Sequence, residues 1–374
     1  MKKLWIIVVI IAVVVLGVLW TQFKSKTQTL TEPIKIGFVG PFTGPSAFFG
    51  DMMQNGLDIA LNQLSIEDKS KIQIIKEDDL CNAKTGLSAI SKLINIDKVK
   101  YVIGPLCNES SAATEKIFEY NKVISISIGL PSKQIANMGP YHFSFSPEID
   151  LMMKTIANKI SLDGNGKVGV IYINSVFQKE NHDRFMEHLL ENNLKVVADE
   201  SALTGSSDFR TQLIKIKEAK PDSLMLIAHT ADLVNILKQL NDTGLSHLPK
   251  YGIHAAESGA LTKNNDGLAE GLIYPYPASR DEILSAKSFY DEYKKLYQTD
   301  SNPYSSNAFD SLNILVLSIK QCGYDNTDCV QNKLATLRNY LGANGSLTVD
   351  SRGVGTYEKI MLKVVKDNKF VKLK

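Results

Sequence analysis

The stretch KYVIGPLCNESSAA, residues 100–113, has the sequence pattern of a complete strand-to-helix transition. Residues 101–103 form a short apolar run of the size of a buried strand. After a Gly-Pro break come Asn108, Ser110 and Ser111, residue types that cap a helix by accepting its first free N–H groups. A new helix N-terminus next to a strand end is rich in N–H donors and suits an anion such as a carboxylate. The same pattern also fits an ordinary βα turn.

Outward from this stretch, strand-like runs alternate with helical patterns. Strand-like runs at 34–39, 72–76 and 123–128 are interleaved with helical patterns at 48–64 and 84–95. Strands that alternate with helices at this spacing predict an α/β fold with a mostly parallel sheet covered by helices on both faces.

The same alternation starts again after Pro147, so two lobes are predicted. With 374 residues and 44% hydrophobic content, the chain can bury two cores. Pro147, the pair Pro275 and Pro277, and the stretch near Gly345 are the candidate crossings between lobes, and therefore the candidate hinges. The predicted division is residues 1–32 as an N-terminal segment, 33–147 with 278–345 as the first lobe, and 148–277 with 346–374 as the second.

The charge distribution excludes one class of partner. Lys and Arg number 42 against 40 for Asp and Glu, so the net charge is +2, without long runs of one sign. A nucleic-acid-binding surface needs a concentrated basic face, and no nucleic-acid partner is expected.

The N-terminus predicts a membrane anchor. Lys2 and Lys3 precede an unbroken apolar run at residues 4–20, and residues 23–32 form a polar tether. A positive start and an apolar segment are typical of an export signal. No small-residue cleavage site and no following cysteine are present, so an uncleaved anchor is favoured over a cleaved signal. The chain is expected outside the cytoplasm, anchored to the cell membrane, or periplasmic if the signal is cleaved.

Four cysteines outside the cytosol suggest two disulfides. Cys322 and Cys329 flank one short turn, and Cys81 and Cys107 each follow a strand-like run in neighbouring βα units. Free thiols remain the alternative. Zinc is disfavoured because neither pair has CxxC spacing, and no metal is expected.

Enzyme signatures are missing from the sequence. No dinucleotide-binding, P-loop, GxSxG or HExxH motif occurs, so no cofactor and no catalytic residue are predicted. His182 and His188 are interpreted as solvated surface residues. The acidic run at 77–79 is interpreted as a loop edge or cleft rim.

Binding residues gather instead where strands end. Phe48 and Phe49 follow the first strand, although they also fit a core position. In the second lobe Glu257 follows a strand, and a carboxylate there opposite donors at Asn108 and Ser132 would hold both ends of an α-amino acid. A surface cap is the alternative for Glu257.

From residue 34 to the C-terminus, the sequence resembles the type I periplasmic binding proteins of the leucine/isoleucine/valine-binding kind, the receptors of ABC transporters. The motifs that carry the resemblance are IKIGFVGPFTGPSAFFGD at 34–51, EDDLCN at 77–82 and KYVIGPLCNESSA at 100–112, with weaker support from EGLIYPYP at 270–277, AFDSL at 308–312 and DSRGVG at 350–355. The resemblance implies two Rossmann-like lobes joined by a three-crossover hinge, closure on a ligand, and a Cys81–Cys107 disulfide.

The resemblance also implies a ligand-binding set. By position Asn108 takes the ligand carboxylate, Glu257 takes the ammonium group, and Phe49 lines the pocket. The full predicted set is Phe49, Leu106, Asn108, Gly129, Ser132, His229, Glu257 and Tyr276.

Two residues of the predicted ligand-binding set differ from the residues usual in the family. Asn108 stands where Ser is usual, and His229 stands where Tyr is often found. The sequence therefore predicts a receptor for a small amino acid or related polar metabolite that partners an ABC permease. A membrane-anchored sensor without a transport role is the alternative.

Overall fold

The computed structural model describes residues 33–257, 261–262, 267–277, 286–357 and 360–373. Within these ranges no helix combines the length and apolar character needed to cross a membrane. The predicted anchor and tether at residues 1–32 lie outside the described residues.

Strands and α-helices alternate along most of the described chain, as predicted. The strands are β1 (Ile34–Gly40), β2 (Ile72–Asp78), β3 (Tyr101–Ile103), β4 (Ile124–Ser127), β5 (His142–Ser144), β6 (Lys167–Asn174), β7 (Lys195–Leu203), β8 (Ser223–Ile227), β9 (Lys250–Gly252), β10 (Ile273–Tyr276), β11 (Tyr340–Gly342), β12 (Gly345–Val349), β13 (Gly355–Thr356), β14 (Met361–Lys366) and β15 (Lys369–Lys372). The helices are α1 (Ala47–Gln63), α2 (Ile66–Ser70), α3 (Ala83–Asn95), α4 (Asn108–Asn121), α5 (Ile149–Leu162), α6 (Val176–Glu187), α7 (Arg210–Glu218), α8 (Thr230–Thr243), α9 (Lys287–Tyr297), α10 (Pro303–Cys322) and α11 (Thr327–Ala335).

The first lobe is built on a five-stranded parallel sheet with the order β2-β1-β3-β4-β5. β3 and β4 are buried along their whole length because helices cover both faces of the sheet. One apolar core forms on the side of α1 and α10, and a second forms under α3. The βα alternation predicted from the sequence is confirmed in this lobe.

Local sequence signals explain where these helices start and how closely they pack. The Asn82 side chain accepts hydrogen bonds from the N–H groups of Lys84 and Thr85, at 2.9 and 3.3 Å, and so begins α3. Where α1 meets the start of α10, a Cβ atom on Gly56 would lie 1.9 Å from the Ser305 carbonyl oxygen. Only glycine permits this approach of the two helices.

The second lobe contains a seven-stranded sheet with the order β15-β14-β10-β9-β8-β6-β7. The strands from β10 to β7 are parallel, whereas β14 and β15 are antiparallel additions. Separate apolar cores cover the two faces of this sheet. β15 and β7 are its edge strands.

The third crossing between the lobes differs from the prediction. β11, β12 and β13 form a small antiparallel sheet, and Leu347 and Val349 of β12 pack into the core of the first lobe. The chain therefore stays in the first lobe beyond Gly345 and crosses between Thr356 and Met361. The predicted crossing near Gly345, and with it the assignment of residues 346–356 to the second lobe, is wrong because both strands next to Gly345 pack on the first lobe.

The first crossing is tied to the first lobe by a buried polar network. The Asn307 amide of α10 donates to the Ser146 hydroxyl, and the Asn344 amide donates to the Asn307 carbonyl at 2.6 Å. The Asp310 carboxyl, in the same helix, accepts from the N–H group of Ala343 at 2.8 Å. Burial raises the pKa of Asp310 to about 7. The second crossing falls at 277–286, of which residues 278–285 lie outside the described ranges.

Candidate functional site

The candidate site is the cleft where the carboxyl ends of the strands of the two lobes face each other. In open α/β sheets, ligands bind beyond these strand ends. The loops after β1, β3 and β4 supply the first lobe's side, and the loops after β6, β8 and β9 supply the second lobe's side.

An aromatic cluster joins the lobes across this cleft. The Phe49 ring lies 5.1 Å from that of Tyr304 and 6.5 Å from the His229 ring of the opposite lobe. Phe177 stacks on His229 at 5.5 Å and meets His254 edge-on at 5.8 Å. The Tyr304 hydroxyl is 3.5 Å from Nε2 of His254. The structure brings two of the predicted site residues, Phe49 and His229, into one cluster. Phe177 and Tyr304, which belong to the same cluster, were not among the predicted residues.

The two cleft histidines are uncharged. Burial lowers the pKa of His229 to about 4. Burial, together with the neighbouring His229, lowers the pKa of His254 to about 3. At neutral pH both rings therefore present an aromatic, hydrogen-bonding surface without charge.

The turn between β3 and α4 is held by a disulfide. Cys81 and Cys107 are bonded, with their Cα atoms 5.2 Å apart, as predicted. Asn108, the first residue of α4, is 9% exposed. Its amide nitrogen has no hydrogen-bond partner among the described residues. A buried unpaired donor beside a helix N-terminus is a ready contact for an anion. The second predicted disulfide, Cys322–Cys329, is also formed, at the end of α10.

The neighbouring loop after β4 packs tightly against this turn. A Cβ atom on Gly129 would lie 2.2 Å from the carbonyl oxygen of Leu106, so glycine is required there. Ser132 is buried, and its hydroxyl accepts from the N–H group of Ile135 at 3.2 Å. The structure therefore brings Leu106 and Gly129 together, while the Ser132 hydroxyl also caps a short 3-10 turn.

The acidic run at the end of β2 supports the loop that leads into α1, the helix that carries Phe49. The Asp78 carboxylate accepts from the Thr43 hydroxyl at 2.5 Å and from the Phe42 N–H group at 2.9 Å. Burial raises the pKa of Asp79. These contacts are those of a loop edge, which is the interpretation that the sequence favoured.

Helix α6 contributes a residue that the sequence prediction missed. Gln178, next to Phe177, is fully buried, and within the described ranges both of its amide atoms are without a hydrogen-bond partner.

The prediction that two histidines in this region are solvated surface residues is wrong. His182 and His188 are both 8% exposed rather than solvated. Nε2 of His182 lies 3.1 Å from an Asp199 oxygen, because this face of α6 packs on the sheet.

Glu257 is already paired inside the second lobe. Its Oε1 atom lies 2.5 Å from Nζ of Lys363, and its Oε2 atom accepts from the Tyr274 hydroxyl at 2.8 Å. Nζ of Lys363 also sits 4.6 Å above the centre of the Tyr276 ring. Lys363, which the sequence analysis did not single out, therefore contacts both Glu257 and Tyr276.

These residues line a pocket of about 500 Å³ between the lobes. The second lobe contributes Glu257, Tyr276 and Lys363, and the first contributes Ser306 and the start of α10. Of the predicted binding residues, only Glu257 and Tyr276 line this pocket. The other six lie outside its lining and are Phe49, Leu106, Asn108, Gly129, Ser132 and His229. Its lining is Glu257, Thr262, Tyr276, Tyr290, Asp300, Ser301, Asn302, Pro303, Ser306, Asn344, Lys363, Asn368, Lys369, Phe370 and Val371.

One direct polar contact also spans the lobes. The N–H group of Lys133, after β4, donates to the Glu180 carboxylate of α6 at 3.0 Å.

Across the part of the chain that the structure describes, no group of His, Cys, Asp and Glu side chains is arranged to hold a metal ion. The arrangement is that of a two-lobed solute-binding receptor.

The chain belongs to the periplasmic binding protein family, whose model matches residues 33–365. The Leu/Ile/Val-binding protein of Escherichia coli strain K12 is 26% identical over 342 residues, which span 88% of this chain and 89% of that protein. By its family, the chain is a binding protein and not an enzyme.

Solved structures show the same fold. The branched-chain amino acid transporter substrate-binding protein LivJ from Streptococcus pneumoniae, in complex with isoleucine, matches with a TM-score of 0.80 and 22% identity, covering 91% of this chain and 100% of that one. A solute-binding protein of an ABC transporter from R. palustris, in complex with benzoate, matches with a TM-score of 0.82 and 17% identity, covering 91% and 95%. The predicted two-lobed α/β fold is confirmed.

Proposed function

We propose that this chain is the extracytoplasmic receptor of an ABC transporter, and that it binds a small amino acid or related polar metabolite in the inter-lobe cleft and delivers it to a permease. The observation that carries the proposal is the meeting of Phe49 and Tyr304 with His229 and His254 across the cleft. A ligand held between these walls contacts both lobes at once and stabilises their closed arrangement.

The relatives support the ligand class. One is named for binding leucine, isoleucine and valine, one was solved with isoleucine and one with benzoate. These ligands share a carboxylate on a compact apolar body. In this chain the unpaired amide of Asn108, at the N-terminus of α4, is the proposed carboxylate contact. The remaining proposed contacts are Phe49, Leu106, Gly129, Ser132, His229, Glu257 and Tyr276.

We also propose that residues 4–20 anchor the receptor to the membrane as an uncleaved segment. The support is the apolar run after Lys2 and Lys3 and the absence of a small-residue cleavage site in its sequence. The intact mass of the exported protein tests this. A mass that lacks the first 20 or so residues would rule out the anchor.

Thermal-shift screening against amino acids, their amides and small carboxylates tests the receptor function. A ligand at 100 times its Kd stabilises the folded state by about 2.7 kcal/mol, which raises the Tm by a few degrees. Asn108→Ala and Phe49→Ala should abolish the shift. Leu190→Ala, at a side chain that is 89% exposed and outside the cleft loops, should keep it. The absence of any stabilising compound across the three classes would refute the proposal.

A further inference from the structure

We propose that Lys363 is the specificity-determining residue of the cleft, and that the ligand is an organic carboxylate without a free ammonium group rather than a zwitterionic amino acid. This inference rests on the proposed function and narrows its ligand class. It follows from which charges of the cleft are already paired before any ligand enters.

The second lobe's candidate ammonium acceptor is occupied. Glu257 receives Lys363 on one carboxylate oxygen at 2.5 Å and the Tyr274 hydroxyl on the other at 2.8 Å. The lysine side chain is only 10% exposed, and it lies over the Tyr276 ring. A ligand ammonium that took Glu257 would leave Lys363 buried without its counter-ion, which is strongly unfavourable.

Two other acids, at the end of β2 and in α6, are engaged as well. Asp78 accepts from Thr43 and Phe42, and Glu180 accepts from the Lys133 N–H group and pairs with Arg184. Each of these carboxylates holds protein structure together. Each would lose those contacts if it turned toward a ligand cation.

The first lobe, by contrast, offers donors to an anion. Asn108 presents a buried amide nitrogen without a partner among the described residues, at the first residue of α4. The facing walls are the rings of Phe49, Phe177 and uncharged His229. Donors at one end, flat apolar walls and a neutralised acid suit a carboxylate with an apolar body.

Matched pairs of compounds test this inference on the full chain in mild detergent. The pairs are leucine with 4-methylpentanoate and phenylalanine with 3-phenylpropanoate, with benzoate added, and calorimetric titration gives each Kd. We expect the acid of a pair to bind at least about tenfold more tightly than the amino acid, because only the amino acid must bury an unpaired ammonium group. Tighter binding of the amino acids would overturn the inference and leave the proposed function intact. If neither series binds, the proposed function fails, and this inference fails with it.

Variants of Lys363 test its role directly. Lys363→Met frees Glu257, so the amino acid of a pair should gain at least about tenfold in affinity while the acid changes little. Because an unpaired buried carboxylate at Glu257 destabilises the lobe, the double variant Glu257→Gln with Lys363→Met provides a neutral pocket that should keep weak amino-acid binding. Lys366→Met, at an exposed residue of the same strand that does not line the pocket, is the matched control and should change neither affinity.

The position of the ammonium acceptor is decided by one more pair of variants. Glu109 and Asp232, in the first turns of α4 and α8, are the other acids near the cleft ends of these helices. If the unmodified chain binds amino acids and either Glu109→Gln or Asp232→Asn abolishes that binding, the inference is overturned. Unchanged weak amino-acid binding in both variants supports it.

Discussion

Removal of the Cys81–Cys107 disulfide should reduce both stability and ligand affinity. The bond closes a loop between residues 26 apart in sequence, and the chain-entropy relation gives about 3.5 kcal/mol of stabilisation for a loop of that length. The Cys322–Cys329 bond spans only 7 residues, which corresponds to about 2.4 kcal/mol. The double variant Cys81→Ala with Cys107→Ala should therefore lose about 1 kcal/mol more than its counterpart at 322 and 329.

The effect on binding separates the two bonds more clearly. Cys107 directly precedes Asn108, so its release lets the proposed anion contact move, and we expect about a tenfold weaker Kd, equivalent to 1.4 kcal/mol. The bond at the end of α10 lies away from the cleft loops and should leave Kd unchanged. Urea unfolding gives the two free energies, and titration with a ligand found by thermal shift gives the two Kd values. Equal losses of affinity in the two variants, or a larger loss of stability at 322 and 329, would refute this reasoning.

Three further predictions concern packing and pH. Gly56→Ala should lower the free energy of unfolding by about 3 kcal/mol, because the added Cβ meets a backbone carbonyl at 1.9 Å, whereas Gly166→Ala, with open space around it, should change it by less than about 0.5 kcal/mol in the same urea experiment. Asp310 has its folded pKa raised from 3.8 to about 7, so the stability that its carboxyl contributes is full below pH 3.8 and is lost as pH rises to 7. Asp310→Asn removes this pH dependence, so the wild-type-minus-variant difference in the free energy of unfolding should fall by at most about 1.4 kcal/mol per pH unit over that range. His229 and His254 have folded pKa values lowered to about 4 and about 3, so the stability they contribute is present above pH 6.5 and is lost as pH falls toward 4. His229→Phe or His254→Phe removes that residue's share of the pH dependence, so the wild-type-minus-variant difference in Tm should fall as pH drops from 6.5 to 4.

The fold was predictable because its signals are local and repeated. Central parallel strands such as β3 and β8 are short apolar runs, and polar caps such as Asn82 mark a following helix. The place of the third crossing was not predictable in this way. The sequence of a short antiparallel strand does not show which lobe the strand joins. Only the packing of Leu347 and Val349 on the first lobe's core shows where β12 belongs.

The site was predictable only where position along a strand determines it. Phe49 lies in the first turn of the helix that follows β1, and His229 lies just after β8, and parallel strands bring such residues to one edge. Lys363 lies in an antiparallel strand from the C-terminal part of the chain, so no spacing in the sequence connects it to Glu257.

Helix α6 illustrates a second limit of the sequence. Its inward positions follow the helical period, but they carry polar residues such as Gln178 and His182. An interpretation based on apolar residues therefore placed its histidines at the surface. Their burial depends on partners such as Asp199 in a neighbouring strand.

The two edge strands of the second sheet bear on how the protein behaves when many copies are crowded together. An uncovered edge strand offers free backbone groups to another chain, and charged side chains oppose such pairing. β15 begins and ends with the exposed Lys369 and Lys372, and β7 carries Lys195 and Asp199 on its exposed positions. Approach of two copies through β15 brings lysines against lysines. The sheet of the second lobe is thereby protected from edge-to-edge aggregation.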